Sequence, residues 1–148
     1  KWLMRLVRQM EDKYIFAPVL IQVMLTLCLY IYLAVAKKKA VTLGQVNEER
    51  RALHDDAWPD GVLQINNCIR NQFEVPLLFY VLIGVLWSIS AVNIYVQVAA
   101  WLFVVSRIAH AIIHMGSNYV PVRRRFFMIG CFILIGLTFY AGYELLAN

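Results

Sequence analysis

Seven residues of kinds rare in apolar sequence fall in two short windows. Asn67, Arg70, Asn71 and Glu74 stand at i, i+3, i+4 and i+7, the spacing that aligns side chains on one helical face. Arg107, His110 and His114 repeat the steps of three and four residues. Arg123, Arg124 and Arg125 follow shortly after. Guanidinium groups beside amides suit carboxylates, because their paired donors match the two oxygens. Arg70 and Arg107 outnumber Glu74, so a positive surplus remains even after the natural pairing of Glu74 with Arg107. That surplus predicts a site for an anionic, carboxylate-bearing ligand. The plainer alternative is that the same groups only hold helices together. His110 and His114 also have the spacing for chelation from one helix face, but no third ligand is near and no HExxH glutamate is present. Hydrogen-bonded histidines in a polar cavity are therefore expected, and no metal. Neither a Ser-His-Asp arrangement nor a glycine-rich phosphate loop occurs.

The elements that must position these residues are set by composition. Of 148 residues, 61 % are hydrophobic and 16 % charged, and the mean hydropathy is +0.64. Soluble domains run at roughly 45–50 % apolar and about 25 % charged, and a chain this short cannot hide the excess in one core. The numbers exclude disorder and a compact nucleic-acid module, and they leave one integral membrane domain. Ala17–Ala36 is an uncharged run of 20 residues ending at Lys37-Lys38-Lys39. At ~1.5 Å per residue it reaches about one hydrocarbon thickness. A signal peptide is the competing reading, since Ala34-Val35-Ala36 resembles a cleavage site, but the run is too long and three lysines follow at once. Spans are expected at about residues 16–36, 62–89, 94–115 and 123–146, giving an all-α integral membrane four-helix bundle. The second is expected as one helix kinked at Pro76. Two polar stripes on neighbouring antiparallel helices should face each other. Lys1 to Lys13 is amphipathic, through Trp2, Leu3, Leu6, Val7 and Met10, and is expected to lie at the interface. Asn47 to Asp60 reads as a water-exposed loop.

The net charge of +5 is carried by residues at the ends of apolar runs, a distribution that suits anionic lipid and topology control. Loops after the first and third spans hold Lys37, Lys38, Lys39, Arg50, Arg51, Arg123, Arg124 and Arg125, against Lys1, Arg5, Arg8 and Lys13 on the other side. The positive-inside rule then places both termini outside the cytoplasm. Cys28, Cys68 and Cys131 lie in apolar or helical context without a CxxC and read as inert thiols.

These motifs resemble a known family. Arg70-Asn71-Gln72-Phe73-Glu74-Val75-Pro76 is similar to the RNxxE…P signature in helix 2 of the MAPEG family, the membrane-associated proteins of eicosanoid and glutathione metabolism. Arg107-Ile108-Ala109-His110 resembles its RxxH pattern in helix 3, and Pro121-Val122-Arg123 its PxR before helix 4. The resemblance implies a homotrimer of four-helix bundles with glutathione, as co-substrate, between subunits near the cytoplasmic face. By it, Arg70, Asn71, Glu74 and His110 contact or frame glutathione, Arg107 pairs with Glu74, and Arg123 stabilises the thiolate. His114 borders the same pocket. The implied activity is a glutathione-dependent transferase or peroxidase acting on lipophilic substrates that arrive through the bilayer. The chain departs from better-known members at Asn67, where they carry arginine, and at His114 and Phe127, where they carry tyrosine. Those departures favour the alternative function, a non-catalytic structural or regulatory subunit of a membrane assembly. A channel or transporter ranks third, because no inverted repeat is visible.

Overall fold

Residues 12–147 are described by the computed structural model, and every regular element among them is helical. The expected interfacial segment lies outside the described residues apart from Asp12 and Lys13. Four helical stretches are long and apolar enough to cross a membrane: Lys13–Thr42, Asp60–Ser88, Ile94–Met115 and Val120–Ala147.

Helix α1 (Phe16–Thr42) continues six residues beyond the expected end of the first span. Lysine and alanine are good helix formers, and the lysine stems let the ammonium groups reach water without breaking the helix. Gly44, at φ +64°, then turns the chain. The loop that follows is cross-braced by ion pairs Arg50–Asp56 and Arg51–Glu48, each at 2.9 Å.

The second span is not one kinked helix. It consists of α2 (Asp60–Arg70), a 3-10 turn (Asn71–Phe73) and α3 (Val75–Ser88), with Glu74 between them at φ −98°, ψ −99°. Pro76 explains the position of the break. Its ring disfavours helical backbone just before it and has no N–H to offer. The chain therefore breaks upstream and seats the proline in the first turn of α3, where no donor is needed. Pro121 occupies the corresponding place in α5 (Val120–Ala147), a helix that begins three residues before the expected start of the fourth span at about residue 123.

Helix α4 (Ile94–Met115) starts at Asn93, whose Oδ1 accepts from the Val96 N–H at 3.0 Å, as an N-cap should. Helices α4 and α5 form the most extensive pair, α1 lies against α2 and α4, and α3 lies against α5. Phe79 and Phe103, both fully buried, stack at 4.4 Å within one apolar cluster. Leu29, Leu33, Val62, Ile65 and Cys68 belong to a second cluster. Outward positions on α1 and α5, such as Leu20, Ile31, Phe132 and Phe139, are exposed and apolar, as a lipid-facing surface requires.

Candidate functional site

The predicted polar residues of the second span lie on both sides of its break, Asn67 and Arg70 in α2 and Asn71 and Glu74 beyond it. Asn67, Arg70 and Glu74 are exposed on the outer face of the bundle, and Asn71 is half-buried. The stripe expected to meet α4 is therefore not buried against it. Arg70 is instead ion-paired with Asp55 of the preceding loop. Glu74 forms no ion pair with Arg107, which corrects the expected pairing. Glu74 is exposed, as Arg70 and Asn67, one and two turns earlier, are, while Arg107 is fully buried.

On α4 the expected face does form. Arg107, His110 and His114 are 0 %, 3 % and 3 % exposed. Arg107 Nη2 donates to the Asn71 carbonyl at 3.2 Å, so this arginine ties α4 to the break. Its guanidinium carbon lies 5.7 Å from the Phe127 ring centre, within cation–π range. His110 Nδ1 donates to the Arg123 carbonyl at 3.1 Å, tethering α4 to the start of α5 and fixing which ring nitrogen carries the proton. The His110 ring lies 5.7 Å from that of His114 and 6.0 Å from that of Phe127. Arg123 is half-buried, with Nη1 donating to Asn118 Oδ1, while Arg124 and Arg125 are exposed. Asn118 can serve this way because it turns the chain at φ 51°, a conformation asparagine tolerates.

Asn71, Arg107, His110, His114 and Arg123 are thus brought together, and Arg70 and Glu74 border them from outside. Arg107 Nε and Nη1, His110 Nε2 and His114 Nδ1 are buried and meet no hydrogen-bonding partner among the described residues. Buried polar atoms are costly without partners, so this cluster has spare capacity for one. No group of three or more His, Cys, Asp or Glu suited to a metal ion occurs among the described residues.

Sequence reasoning missed four contributors. Gln22 Nε2 donates to Gln72 Oε1 at 2.9 Å, and Gln72 Nε2 donates to the Cys68 carbonyl at 3.2 Å, binding α1 to the break from the other side. Gln64 Nε2 donates to the carbonyls of His114 and Gly116, closing the end of α4. Asp55 occupies Arg70. Gln22 carried a readable signal, as a lone amide within an uncharged apolar run; Gln72 lay off the expected stripe.

No curated protein and no solved structure matches the chain. A family model does: the MAPEG family, over residues 15–143, which takes in the whole second and third spans and every residue of the site. The four apolar spans, the polar face of α4 and that match agree, and the chain belongs to the MAPEG family.

Proposed function

We propose that the protein binds glutathione, or a closely related anionic thiol, and transfers it to a lipophilic electrophile at the membrane boundary. The observation that carries this reading is the outward polar patch of Asn67, Arg70 and Glu74, bordered by the exposed apolar residues Phe73 and Leu77. Charged groups beside lipid-facing residues need cover. A second copy of the chain supplies it, and a carboxylate-bearing ligand between copies takes up the arginine surplus. Family membership supports a homotrimer, and such an assembly fits this patch. The basic loops support placing both termini on the non-cytoplasmic side.

The chemistry asked of the chain is positioning and thiolate stabilisation. Asn118 holds one nitrogen of Arg123, which leaves the rest of the guanidinium to favour the thiolate over the thiol. The sulfur then attacks the electrophilic carbon, a C–S bond forms, and the leaving group departs with the electron pair. Reduction of a lipid peroxide begins with the same thiolate, and glutathione is then oxidised. Lipophilic substrates reach the site through the bilayer, where the outer faces of α1 and α5 are apolar.

A second reading has its own support. Arg70 is already engaged by Asp55, and Phe127 stacks where the family's better-known members place a hydroxyl. On that reading the fold serves as a non-catalytic subunit.

A thermal-shift titration of the detergent-solubilised protein with reduced glutathione separates the two. Ligand at a hundredfold excess over Kd adds about 2.7 kcal/mol, a readable shift. The shift should disappear in Arg70→Ala, and thiolate absorbance should disappear in Arg123→Ala. No shift up to high millimolar glutathione refutes the enzyme and favours the subunit.

A further inference from the structure

Away from the polar site, a groove of about 490 Å3 opens between α1 and the start of α2. Tyr32, Val35 and Ala36 form one wall, Val62 and Ile65 the other, and Lys39 and Gln45 stand at its rim. Its volume is typical of ligand sites, which run at about 300–1,000 Å3. Tyr32 and Val35 are exposed, so the groove is open on its lipid side. Gly61 is part of the lining, and a Cβ added there would meet nothing within 4 Å. From Lys39 back to Tyr32 the groove runs about 10 Å along α1, into the span.

The charge around the rim is as informative as the shape. Lys37 ends the uncharged run of the first span, so the lysines sit at the membrane boundary. Lys37 Nζ lies 4.7 Å from the Trp58 ring centre, next to Pro59 in the groove lining. Lys38 and Lys39 are exposed, and among the described residues none of the three lysines is in an ion pair. The paired carboxylates of the following loop, Glu48, Asp55 and Asp56, are all taken by arginines. Asp60 lies in the first turn of α2, where its charge favours its own helix terminus.

We infer that this groove binds an anionic phospholipid, one acyl chain lying along Tyr32, Val35 and Ile65 and the headgroup phosphate held by Lys39 and its neighbouring lysines. The apolar body points into the bilayer and the cationic rim lies at headgroup depth. Basic pockets between membrane helices take anionic headgroups in this way. A free anion would use the rim and leave the apolar groove unfilled; a zwitterionic lipid would fill the groove but bring its own cation beside its phosphate, against the lysines. This site is independent of the thiol-binding reading, since it shares no residue with it.

The test is a titration of the full chain, purified in neutral detergent, followed by native mass spectrometry and tryptophan fluorescence. The probes are phosphatidylglycerol, phosphatidylcholine with the same acyl chains, and inorganic phosphate. Phosphatidylglycerol should bind at least tenfold more tightly than either of the others. Lys38→Gln with Lys39→Gln should weaken it by about 25-fold, at fivefold per lysine. Gly61→Leu, which fills the groove and leaves the charges in place, should also weaken it by tenfold or more. Circular dichroism checks that both variants remain folded. Equal affinity for the two lipids overturns the proposal, as does phosphate binding as tight as that of phosphatidylglycerol. So does undiminished binding by folded Gly61→Leu, which would reduce the site to surface charge alone.

Discussion

Leucine at position 72 removes two hydrogen bonds at once, to Gln22 and to the Cys68 carbonyl, and strands the Gln22 amide in a fully buried position. Bonds of this kind inside membrane proteins average about 0.6 kcal/mol and reach about 1.7, and a buried polar group left bare adds roughly 1–3 kcal/mol. Gln72→Leu should therefore cost about 2–3 kcal/mol. Gln22→Leu should cost less, about 1 kcal/mol, because Gln22 Oε1 already lacks a partner and its removal recovers some desolvation. The double variant leaves no stranded amide, so its loss should fall below the sum of the single losses by about 1–1.7 kcal/mol. Reversible unfolding in mixed micelles with rising dodecyl sulfate fraction, followed by helicity, measures all four corners of the cycle. Additivity within about 0.3 kcal/mol would mean that the two side chains do not interact, and the account of how α1 is fastened to the break would fall.

Three further outcomes follow from the packing. Gly130→Val should destabilise by about 1–3 kcal/mol, since a Cβ there already lies 3.4 Å from the Phe103 ring and Ser106 Oγ, whereas Gly130→Ala should be nearly neutral; equal melting of both variants would show slack between α4 and α5. Asn93→Ala should cost about 1–2 kcal/mol by removing both the α4 cap and the 2.8 Å bond to the Tyr140 hydroxyl, and Tyr140→Phe should cost a fraction of that in the same melting experiment. Glu74→Gln should leave the stability of the ligand-free protein within about 0.5 kcal/mol, as befits an exposed group, and should weaken glutathione binding; a loss of several kcal/mol without ligand would restore a pairing with Arg107.

The α4 face was legible in the sequence because nothing interrupts its helix: Arg107, His110 and His114 keep their phase and turn inward together. Spacing rules applied to residues 67–74 put Asn67, Arg70 and Glu74 on one face, as they are, but spacing alone does not say whether that face is turned to α4 or left exposed. Pro76 announced a disturbance in the right region, but its preference for a first turn put the break upstream of it. The Gln22–Gln72 bond joins residues 50 apart, a pairing no local pattern encodes. Asp55 could not be matched with Arg70 for the same reason, because a loop carries no periodicity from which its path can be read.

The divided second span also bears on how the chain enters a membrane. Helix α3 contributes 14 residues, about 21 Å of rise, against the ~20 residues needed to cross alone. Helix α2 ahead of it presents Asn67 and Arg70 on its outer side. Of the four spans this one is the least apolar, and so the least suited to partition into lipid alone. The spans before and after it are long and apolar. Its integration therefore depends on company: α1 retained nearby until α2 docks on it, and α5 arriving to cover α3. The packing of α2 on α1 and of α3 on α5 makes biogenesis of the bundle a cooperative event, in which the span carrying Arg70 and Glu74 is held by its neighbours.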